Sequence, residues 1–373
     1  MTERVLITGG AGFIGRHLAR ALLDRGAEVR VLDALIDQVH GSAGALPFRP
    51  GEVDVRVGDV RDRAAVDSAL DGVDRVVHLA AEVGVGQSMY AVDRYVDVND
   101  RGTAVLLEAL IAKPVRRLVV ASSMSIYGEG LYRDADGTLY DEVERTVDPA
   151  ADQAEPAWDE RDGAGRPLRP LATPETKRPH LASVYALTKY VQERLALTVA
   201  PAYGMEGVAL RLFNVYGPGQ ALSNPYTGVL AIFASRLLNG RPPMVFEDGR
   251  QRRDFIHVED VARAFALALE HPDAPGQVFN VGSGDDISIA EIATRLAAAM
   301  GSDLEPEITG RFRRGDVRHC FADISKARGR LGFEPRRDVA ESLAELAEWV
   351  SHQEAEDRVD EARGELEARG LVS

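Results

Sequence analysis

The stretch "TGGAGFIG" at residues 8–15 decides the fold of this chain. It follows the apolar run "RVLIT" and opens the amphipathic run "GRHLARALLDRG", so its glycines stand where a strand turns into a helix. Glycines at that point allow a tight turn and a close backbone approach to a pyrophosphate, and the helix N-terminus supplies amide donors and a positive dipole. The sequence therefore predicts a dinucleotide cradle made of Gly9, Gly12, Phe13, Ile14 and Gly15.

Acidic residues follow the next two apolar runs. Asp33 ends "VRVLD", where a carboxylate accepts hydrogen bonds from the ribose hydroxyls of NAD and repels the extra phosphate of NADP. Asp59, in "GDVRD", is placed to contact the adenine, although a strand-end cap explains Asp59 nearly as well. The sequence predicts NAD as the cofactor.

Apolar runs alternate with amphipathic runs through the first half of the chain. Runs rich in Val, Ile and Leu that alternate with helices indicate a parallel sheet covered on both faces. We expect an α/β fold, a Rossmann-type doubly wound sheet with a smaller C-terminal α/β lobe that binds substrate. The predicted domains are 1–212 and 213–350, with segments of the second returning to the first.

Two segments break this rhythm. Residues 129–181 are polar and weakly periodic, which predicts either a disordered insertion or a functional loop, and their position favours a lid over the substrate. Residues 351–373 are dense in Glu, Asp and Arg, which predicts a solvated helix or a frayed end.

Composition narrows the class of protein. The net charge of −15, from 59 acidic and 44 basic residues, argues against a nucleic-acid binder. The single cysteine, Cys320, excludes an internal disulfide and an all-cysteine metal site, and we expect no bound metal. Without a leader-like start or an apolar run of membrane-spanning length, the sequence predicts a cytoplasmic protein that does not enter a membrane.

Two further motifs carry the candidate chemistry. "SVYALTK" places Tyr185 and Lys189 four residues apart on one helical face, a spacing that alone is more often structural. After a dinucleotide fingerprint, the ammonium is expected to favour the phenolate, so that Tyr185 acts as a general base. "ASSMSIYG" ends the fifth strand at the sheet edge where ligands bind, and we assign Ser123 to the substrate oxygen.

Taken together, these motifs resemble the extended short-chain dehydrogenase/reductase family and, within it, the 4-epimerases of dTDP- and UDP-sugars. The resemblance spans residues 4 to about 349 and includes "HLAA" (78–81), "LRLFNVYGPGQ" (210–220), "RRDFIHVEDVA" (252–262) and "VFNVGSG" (278–284). It implies a homodimer and a catalytic set of Ser123, Tyr185 and Lys189, of which Tyr185 and Lys189 also contact the cofactor. It further implies cofactor contacts from Val60, Leu79, Ala80, Ala81 and Asn99. It also implies a nucleoside-diphosphate sugar held by Ser125, Asn214, Arg253, Asp316 and Arg318. Read without the family, Arg252, Arg253, Arg313, Arg314 and Arg318 form two basic clusters that suit a phosphate clamp.

The residues after Ser123 indicate which reaction this chain performs. Dehydratases of the resembled family carry Asp–Glu there, decarboxylases a glutamate, and 3,5-epimerases a cysteine, whereas this chain has Met124 and Ser125. Hydride transfer alone remains, which fits epimerisation at C4 through a 4-keto sugar. The alternatives are a net nucleotide-sugar oxidoreductase and, outside the enzymes, an NAD(H)-sensing binding protein on the same fold.

Overall fold

The computed structural model describes residues 3–41, 44, 46–143, 145, 158–226, 228–313 and 315–372. Its helices are α1 (Phe13–Leu23), α2 (Asp37–His40), α3 (Arg63–Ala69), α4 (Val85–Ser88), α5 (Val92–Tyr95), α6 (Gly102–Ala112), α7 (Val184–Ala202), α8 (Val229–Leu238), α9 (Val258–Glu270), α10 (Ile289–Ala299), α11 (Ser325–Leu331), α12 (Val339–Ser351) and α13 (Val359–Ala368). A π-helical turn, Val96–Arg101, leads into α6, and a 3-10 turn, Met124–Tyr127, follows the fifth strand.

The strands belong to one large sheet and several short ones. They are β1 (Arg4–Thr8), β2 (Glu28–Asp33), β3 (Asp54–Val57), β4 (Arg75–His78), β5 (Arg117–Ser123), β6 (Leu131–Arg133), β7 (Leu139–Tyr140), β8 (Arg169–Leu171), β9 (Glu206–Leu212), β10 (Asn214–Tyr216), β11 (Met244–Val245), β12 (Arg252–Arg253), β13 (Phe255–His257), β14 (Val278–Val281), β15 (Ile287–Ser288), β16 (Glu307–Ile308) and β17 (His319–Cys320).

The large sheet has seven parallel strands in the order β3-β2-β1-β4-β5-β9-β14. Apolar side chains of α1 and α9 cover one face, and those of α3, α6 and α7 cover the other. All seven residues of β5 are buried, as expected for a strand covered on both faces. The predicted Rossmann-type fold is confirmed.

The smaller lobe has an apolar core of its own, formed by α8, α10 and α12 together with short strands. Strand β14 nevertheless pairs with β9 in the large sheet, and α9 packs against one face of that sheet. Residues beyond 213 therefore complete the NAD-binding domain predicted for residues 1–212. The boundary between 212 and 213 stays a prediction. Within the described ranges, no helix has the length and apolar character needed to cross a membrane.

The described part of the 129–181 segment is folded. Strands β6, β7 and β8 form an antiparallel sheet over a small core of Tyr132, Val143 and Leu168. The disordered alternative therefore does not hold there, and none of these described residues lines the cavity described below. The lid hypothesis thus finds no support in them, while residues 144 and 146–157 lie outside the described residues.

The C-terminal tail corrects the sequence interpretation. Residues 359–368 form α13, in which Ala362 and Leu366 are each only 6% exposed, and Val372 beyond it is also buried. The segment is a helix with an exposed outer face, as one of the two alternatives expected, but it is not solvated all round because the face with Ala362 and Leu366 is packed. The many charged residues of the tail drew attention away from Ala362 and Leu366, which are four positions apart and therefore lie on one face of the helix.

Candidate active site

A cavity of about 630 Å³ lies between the carboxyl ends of the large sheet and the smaller lobe. That volume and position are typical of a ligand site in a doubly wound fold. Most of the residues that the sequence predicted for the site line this cavity. They are Gly9, Gly12, Phe13, Ile14, Gly15, Asp33, Asp59, Val60, Leu79, Ala80, Ala81, Ser123, Ser125, Tyr185, Lys189, Asn214, Arg253 and Asp316.

The glycines of the cradle are required by close backbone approach. A Cβ on Gly15 would lie 2.5 Å from the Cα of Gly10, and one on Gly9 would lie 2.8 Å from the backbone nitrogen of Ala80. Gly9 also has a φ of +68°, which side chains rarely adopt. No side chain of the described residues caps α1, so its first turn is left to face an anion, as a pyrophosphate cradle requires.

Asp33 ends β2 beside this cradle. Its carboxylate accepts hydrogen bonds from the backbone amides of Ala11 and Leu35, both at 2.9 Å, and lies 3.4 Å from Nε2 of His40. Burial would raise the pKa of Asp33, but the hydrogen bonds from His40, Leu35 and Ala11 outweigh it and hold the pKa below its usual value. Asp33 therefore carries its charge at neutral pH, ready to accept from ribose hydroxyls.

Cofactor choice should follow from this charge. We expect NAD to bind at least about tenfold tighter than NADP, because one unfavourable charge contact is worth roughly 1.4 kcal/mol. The variant Asp33→Ala should reduce the ratio of NAD affinity to NADP affinity. The control Asp37→Ala, which removes the same charge from an exposed position on α2, should leave this ratio unchanged. Titration of both cofactors by calorimetry measures the ratio, and equal affinities in the unmodified protein would contradict the assignment.

The candidate catalytic residues meet at the carboxyl end of β5. The Ser123 hydroxyl donates to Oγ of Ser125 at 3.1 Å and accepts from the backbone N–H of Ser125 at the same distance. It also lies close enough to the phenol of Tyr185 to act on the pKa of Tyr185, which it lowers. The backbone N–H of Tyr185 donates to Oγ of Ser88 at 3.0 Å, which fixes the start of α7 against α4.

Burial is the main influence on the electrostatics of the pair on α7. It raises the pKa of Tyr185, and the nearby Ser123 side chain opposes this in part. The predicted effect of Lys189 and of the nicotinamide ring on the phenol stays a prediction. Burial lowers the pKa of Lys189 to about 7, and the charge of Glu193 opposes the shift. The Lys189 ammonium donates to Oε1 of Gln192 at 2.7 Å instead of to the phenol. Desolvation is the leading cause of both pKa shifts because both side chains are enclosed.

A second group of polar side chains faces the cavity from the smaller lobe. Arg253 donates to the backbone carbonyls of Arg252 and Arg318, both at 2.9 Å, which holds its guanidinium in place. Arg313 donates to Asp316 at 3.0 Å and lies over the Phe246 ring. Two fixed guanidinium groups at one end of the cavity suit a diphosphate.

Asn214 lines the cavity with an unpaired acceptor. Its Oδ1 is buried and has no hydrogen-bond partner among the described residues. Buried polar atoms are nearly always paired in native proteins, so an unpaired one that faces a cavity points to a ligand donor. The predicted contact of Asn214 with substrate stays a prediction, and this atom favours it.

Arg318 is the main correction among the predicted site residues. It is fully buried outside the cavity, and its guanidinium donates to Asp159 at 2.8 Å, to Glu247 at 2.9 Å and to Asp248 at 2.6 Å. These three carboxylates bind the guanidinium of Arg318, which the sequence analysis expected to bind phosphate. Arg318 therefore joins the 129–181 segment to the smaller lobe.

The remaining predicted residues take supporting positions. Asn99 is fully buried; its amide donates to Thr188 at 2.9 Å and its Oδ1 accepts from the backbone N–H of Glu82 at 2.7 Å. It thus positions the loop after β4 and does not line the cavity. Asp59 does line it, but its carboxylate already accepts from Arg61, which holds the pKa of Asp59 below its usual value. Arg252 lies at the surface, paired with Asp286, and Arg314 lies outside the described residues.

Sequence reasoning missed several residues of the site. His40 beside Asp33, Ser88 beside Tyr185 and Gln192 beside Lys189 belong to no motif that was considered. Only Gln192 had a usable signal, since it lies three residues after Lys189 on the same helix. Ser88 reaches Tyr185 from 97 residues away, whereas His40 is close to Asp33 in the chain and is brought beside it by the loop after β2 and by α2.

Comparison with known proteins places this geometry in a family. The model of the NAD dependent epimerase/dehydratase family matches residues 5–149 and 163–282. The chain belongs to this family. The resemblance inferred from the sequence is thereby confirmed, and the family's cofactor is the NAD that the sequence predicted.

Individual members of the family are similar over nearly the whole chain. The dTDP-L-rhamnose 4-epimerase of Burkholderia thailandensis is 35% identical over 94% of this chain and 96% of its own length. A dTDP-glucose 4,6-dehydratase of Actinoplanes sp. is 31% identical over 93% of this chain and 97% of its own length. The structure of Thermotoga maritima UDP-glucose 4-epimerase with UDP-glucose superposes with a TM-score of 0.76 at 30% identity, covering 93% of this chain and 98% of that one.

Membership in the family fixes the class of reaction but not the reaction. Relatives of similar identity are 4-epimerases, dehydratases and decarboxylases that act on nucleotide sugars. The chain is therefore an enzyme of the NAD-dependent epimerase/dehydratase family. The residues beside Ser123 must distinguish among its reactions.

Proposed function

We propose that this chain is an NAD-dependent 4-epimerase of a nucleoside-diphosphate sugar, with a dTDP- or UDP-sugar as its substrate. The observation that carries the proposal is the stretch after Ser123, where Met124 and Ser125 supply no acid or base for elimination, decarboxylation or exchange of carbon-bound protons. Hydride transfer at C4 is the chemistry that this arrangement leaves.

The position of acidic groups along the cavity supports the same reaction. Among the described residues, the carboxylates that line it are Asp33, Asp59, Glu82 and Asp316. The first two lie beside the cradle, Glu82 is 3.1 Å from Arg94, and Asp316 is bound to Arg313. A dehydratase needs an acid and a base beside the reacting sugar, and none of these four is bonded to Ser123 or Tyr185.

The chain's own residues divide the work of the reaction. The cradle, Asp33 and Lys189 would hold NAD, which when bound supplies a hydride acceptor and donor and a positively charged ring. Tyr185 takes the proton of the C4 hydroxyl while Ser123 bonds the same oxygen. Arg253 and Arg313 hold the diphosphate, so the ketone can turn over without leaving, and Tyr185 returns the proton after the other face has been reduced.

Isotope retention tests this proposal. Substrate deuterated at C4 should give product that is still deuterated at C4, because the same hydrogen leaves and returns within one site. In heavy water no deuterium should enter C3 or C5, and no net NADH should accumulate. NMR and absorbance at the nicotinamide band measure these outcomes. Deuterium at C3 or C5 would indicate a proton-exchange epimerase, and stoichiometric NADH would indicate a net oxidoreductase.

Assembly and location stay predictions. The proposed homodimer is favoured by the exposed apolar side chains of Val92, Val96 and Leu187, which lie on α5, on the π-helical turn and on α7, respectively. Burial of such a patch against a second copy would remove apolar area from water. The cytoplasmic location rests on the sequence alone.

A further inference from the structure

The C-terminal segment is attached to the smaller lobe at both ends. At its start, Asp357 lies 3.6 Å from Arg236 and 3.4 Å from Arg241, and Asp360 accepts from Arg241 at 2.7 Å. At its end, Val372 forms an antiparallel bridge with Arg313, the residue that faces the cavity beside Asp316. The segment is thus a strap fixed over the cavity.

The inner face of the strap lines the cavity. Val359, Ala362, Arg363 and Leu366 all contribute to its wall. Leu366 lies against the turn of α4, since a Cβ placed on Gly86 would be 3.4 Å from its Cδ1. On the outer side, Glu365 accepts from the hydroxyl of Tyr90 at 2.8 Å, which fixes the rotation of α13 and keeps Leu366 inward.

Two contacts place this wall beside the sugar. Ser88, in the same turn as Gly86, accepts from the backbone N–H of Tyr185, so the turn adjoins the reacting end of the cavity. A Cβ on Gly315, between Arg313 and Asp316, would lie 3.9 Å from Cγ1 of Val85. A substrate whose diphosphate is bound at Arg313 and whose reacting carbon lies at Tyr185 must therefore place its sugar against Val85, Gly86 and Leu366.

The chemistry of this wall selects among sugars. Val85, Gly86, Ala362 and Leu366 present no side-chain hydrogen-bonding group. The guanidinium of Arg363, which also belongs to this wall, is paired within the strap, 3.4 Å from Asp360 and 3.5 Å from Glu367. A methyl group gains by packing there, whereas a hydroxyl or carboxylate would lose its water without a replacement partner. We propose that α13 forms the apolar wall of the sugar compartment and that Leu366 is a specificity-determining residue favouring 6-deoxy sugars over sugars that carry a hydroxyl or carboxylate at C6. This inference rests on the proposed function, because it takes the sugar to lie between Arg313 and Tyr185.

Matched pairs of substrates that differ only at C6 test the wall. The pairs are dTDP-6-deoxy-D-glucose with dTDP-D-glucose, and dTDP-L-rhamnose with dTDP-L-mannose. For the pair that binds, we expect the 6-deoxy member to have about a tenfold or larger advantage, both in affinity by calorimetry and in kcat/KM for C4 epimer by NMR.

Variants assign the selectivity to Leu366. The near-isosteric Leu366→Asn supplies a donor and an acceptor to the wall and should reduce the 6-deoxy preference by about tenfold. The control Leu371→Asn makes the same change in the same segment, at a position that does not line the cavity, and should leave the preference unchanged.

The outcomes separate this inference from the proposed function. Equal affinity for both members of a pair, or an unchanged preference in Leu366→Asn, would overturn the role of Leu366 even if C4 epimers form. A 6-deoxy preference in binding that Leu366→Asn removes would support the wall even if no sugar gives a C4 epimer, in which case the proposed reaction fails and the inference stands.

Discussion

Replacing Tyr185 by phenylalanine should lower turnover by about 10²-fold or more, which is the usual worth of a general base. The change removes the phenol hydroxyl, which lies near Ser123, and leaves the ring in its packing against Tyr95, 6.5 Å away between ring centroids. The cofactor should remain bound, because the cradle and Asp33 are untouched. Steady-state rates with the best nucleotide sugar, together with measured NAD content, check both statements.

A control on the same helix makes this result specific. Tyr190 lies five residues further along α7 and packs against the apolar cluster that contains Met124 and Phe213. Tyr190→Phe makes the same chemical change outside the cavity and should retain turnover. Full activity in Tyr185→Phe would remove the phenol from the mechanism, and loss of NAD from that variant would assign it a binding role instead.

The second large effect is on stability. Arg318→Leu should lower the free energy of unfolding by about 3–5 kcal/mol, the range found when one partner of a buried ion pair is removed. Glu247 is 2% exposed and, among the described residues, would keep only Arg145, 2.8 Å away, as a charged partner. Asp159 would lose one of the contacts that join the 129–181 segment to the smaller lobe. Urea denaturation followed by circular dichroism measures the change.

A surface arginine provides the comparison. Arg252 pairs with Asp286, and its side chain is 45% exposed, so Arg252→Leu should cost no more than about 1 kcal/mol. If Arg318→Leu were as stable as Arg252→Leu, the buried network would contribute nothing to holding the segment. If it bound nucleotide sugar more weakly at full stability, the original assignment of Arg318 to phosphate would be restored.

Local signals in the sequence were enough for the fold and for most of the cavity. The cradle at Gly9–Gly15 and the acid at Asp33 depend on a strand, a turn and a helix within about 30 residues, so spacing alone predicts them. Ser123 and Tyr185 are far apart in the chain, yet each ends or begins an element whose position in a doubly wound sheet is fixed.

The errors came from long-range contacts that no spacing encodes. Arg318 looked like a phosphate ligand because nothing near it in the sequence shows that Asp159 and Glu247 would surround it. The packed face of the charged tail was not predicted because the contact of Leu366 with Gly86 joins residues that are far apart in the chain. The burial of Tyr185, which raises the pKa of its phenol, likewise depends on the whole fold and is not encoded in the spacing of Tyr185 and Lys189.

The strand order of the large sheet has a consequence for synthesis of the chain on the ribosome. Strand β5 lies between β4 and β9, but β9 begins at residue 206, about eighty residues after β5 ends at residue 123. At translation rates of about 5–20 residues per second, the edge of β5 that pairs with β9 stays unpaired for at least several seconds, until β9 has been synthesised. During that interval the nascent chain exposes an unpaired edge that can pair with another chain. Soluble yield should therefore depend on how quickly residues 124–212 are translated and on chaperones that cover that edge.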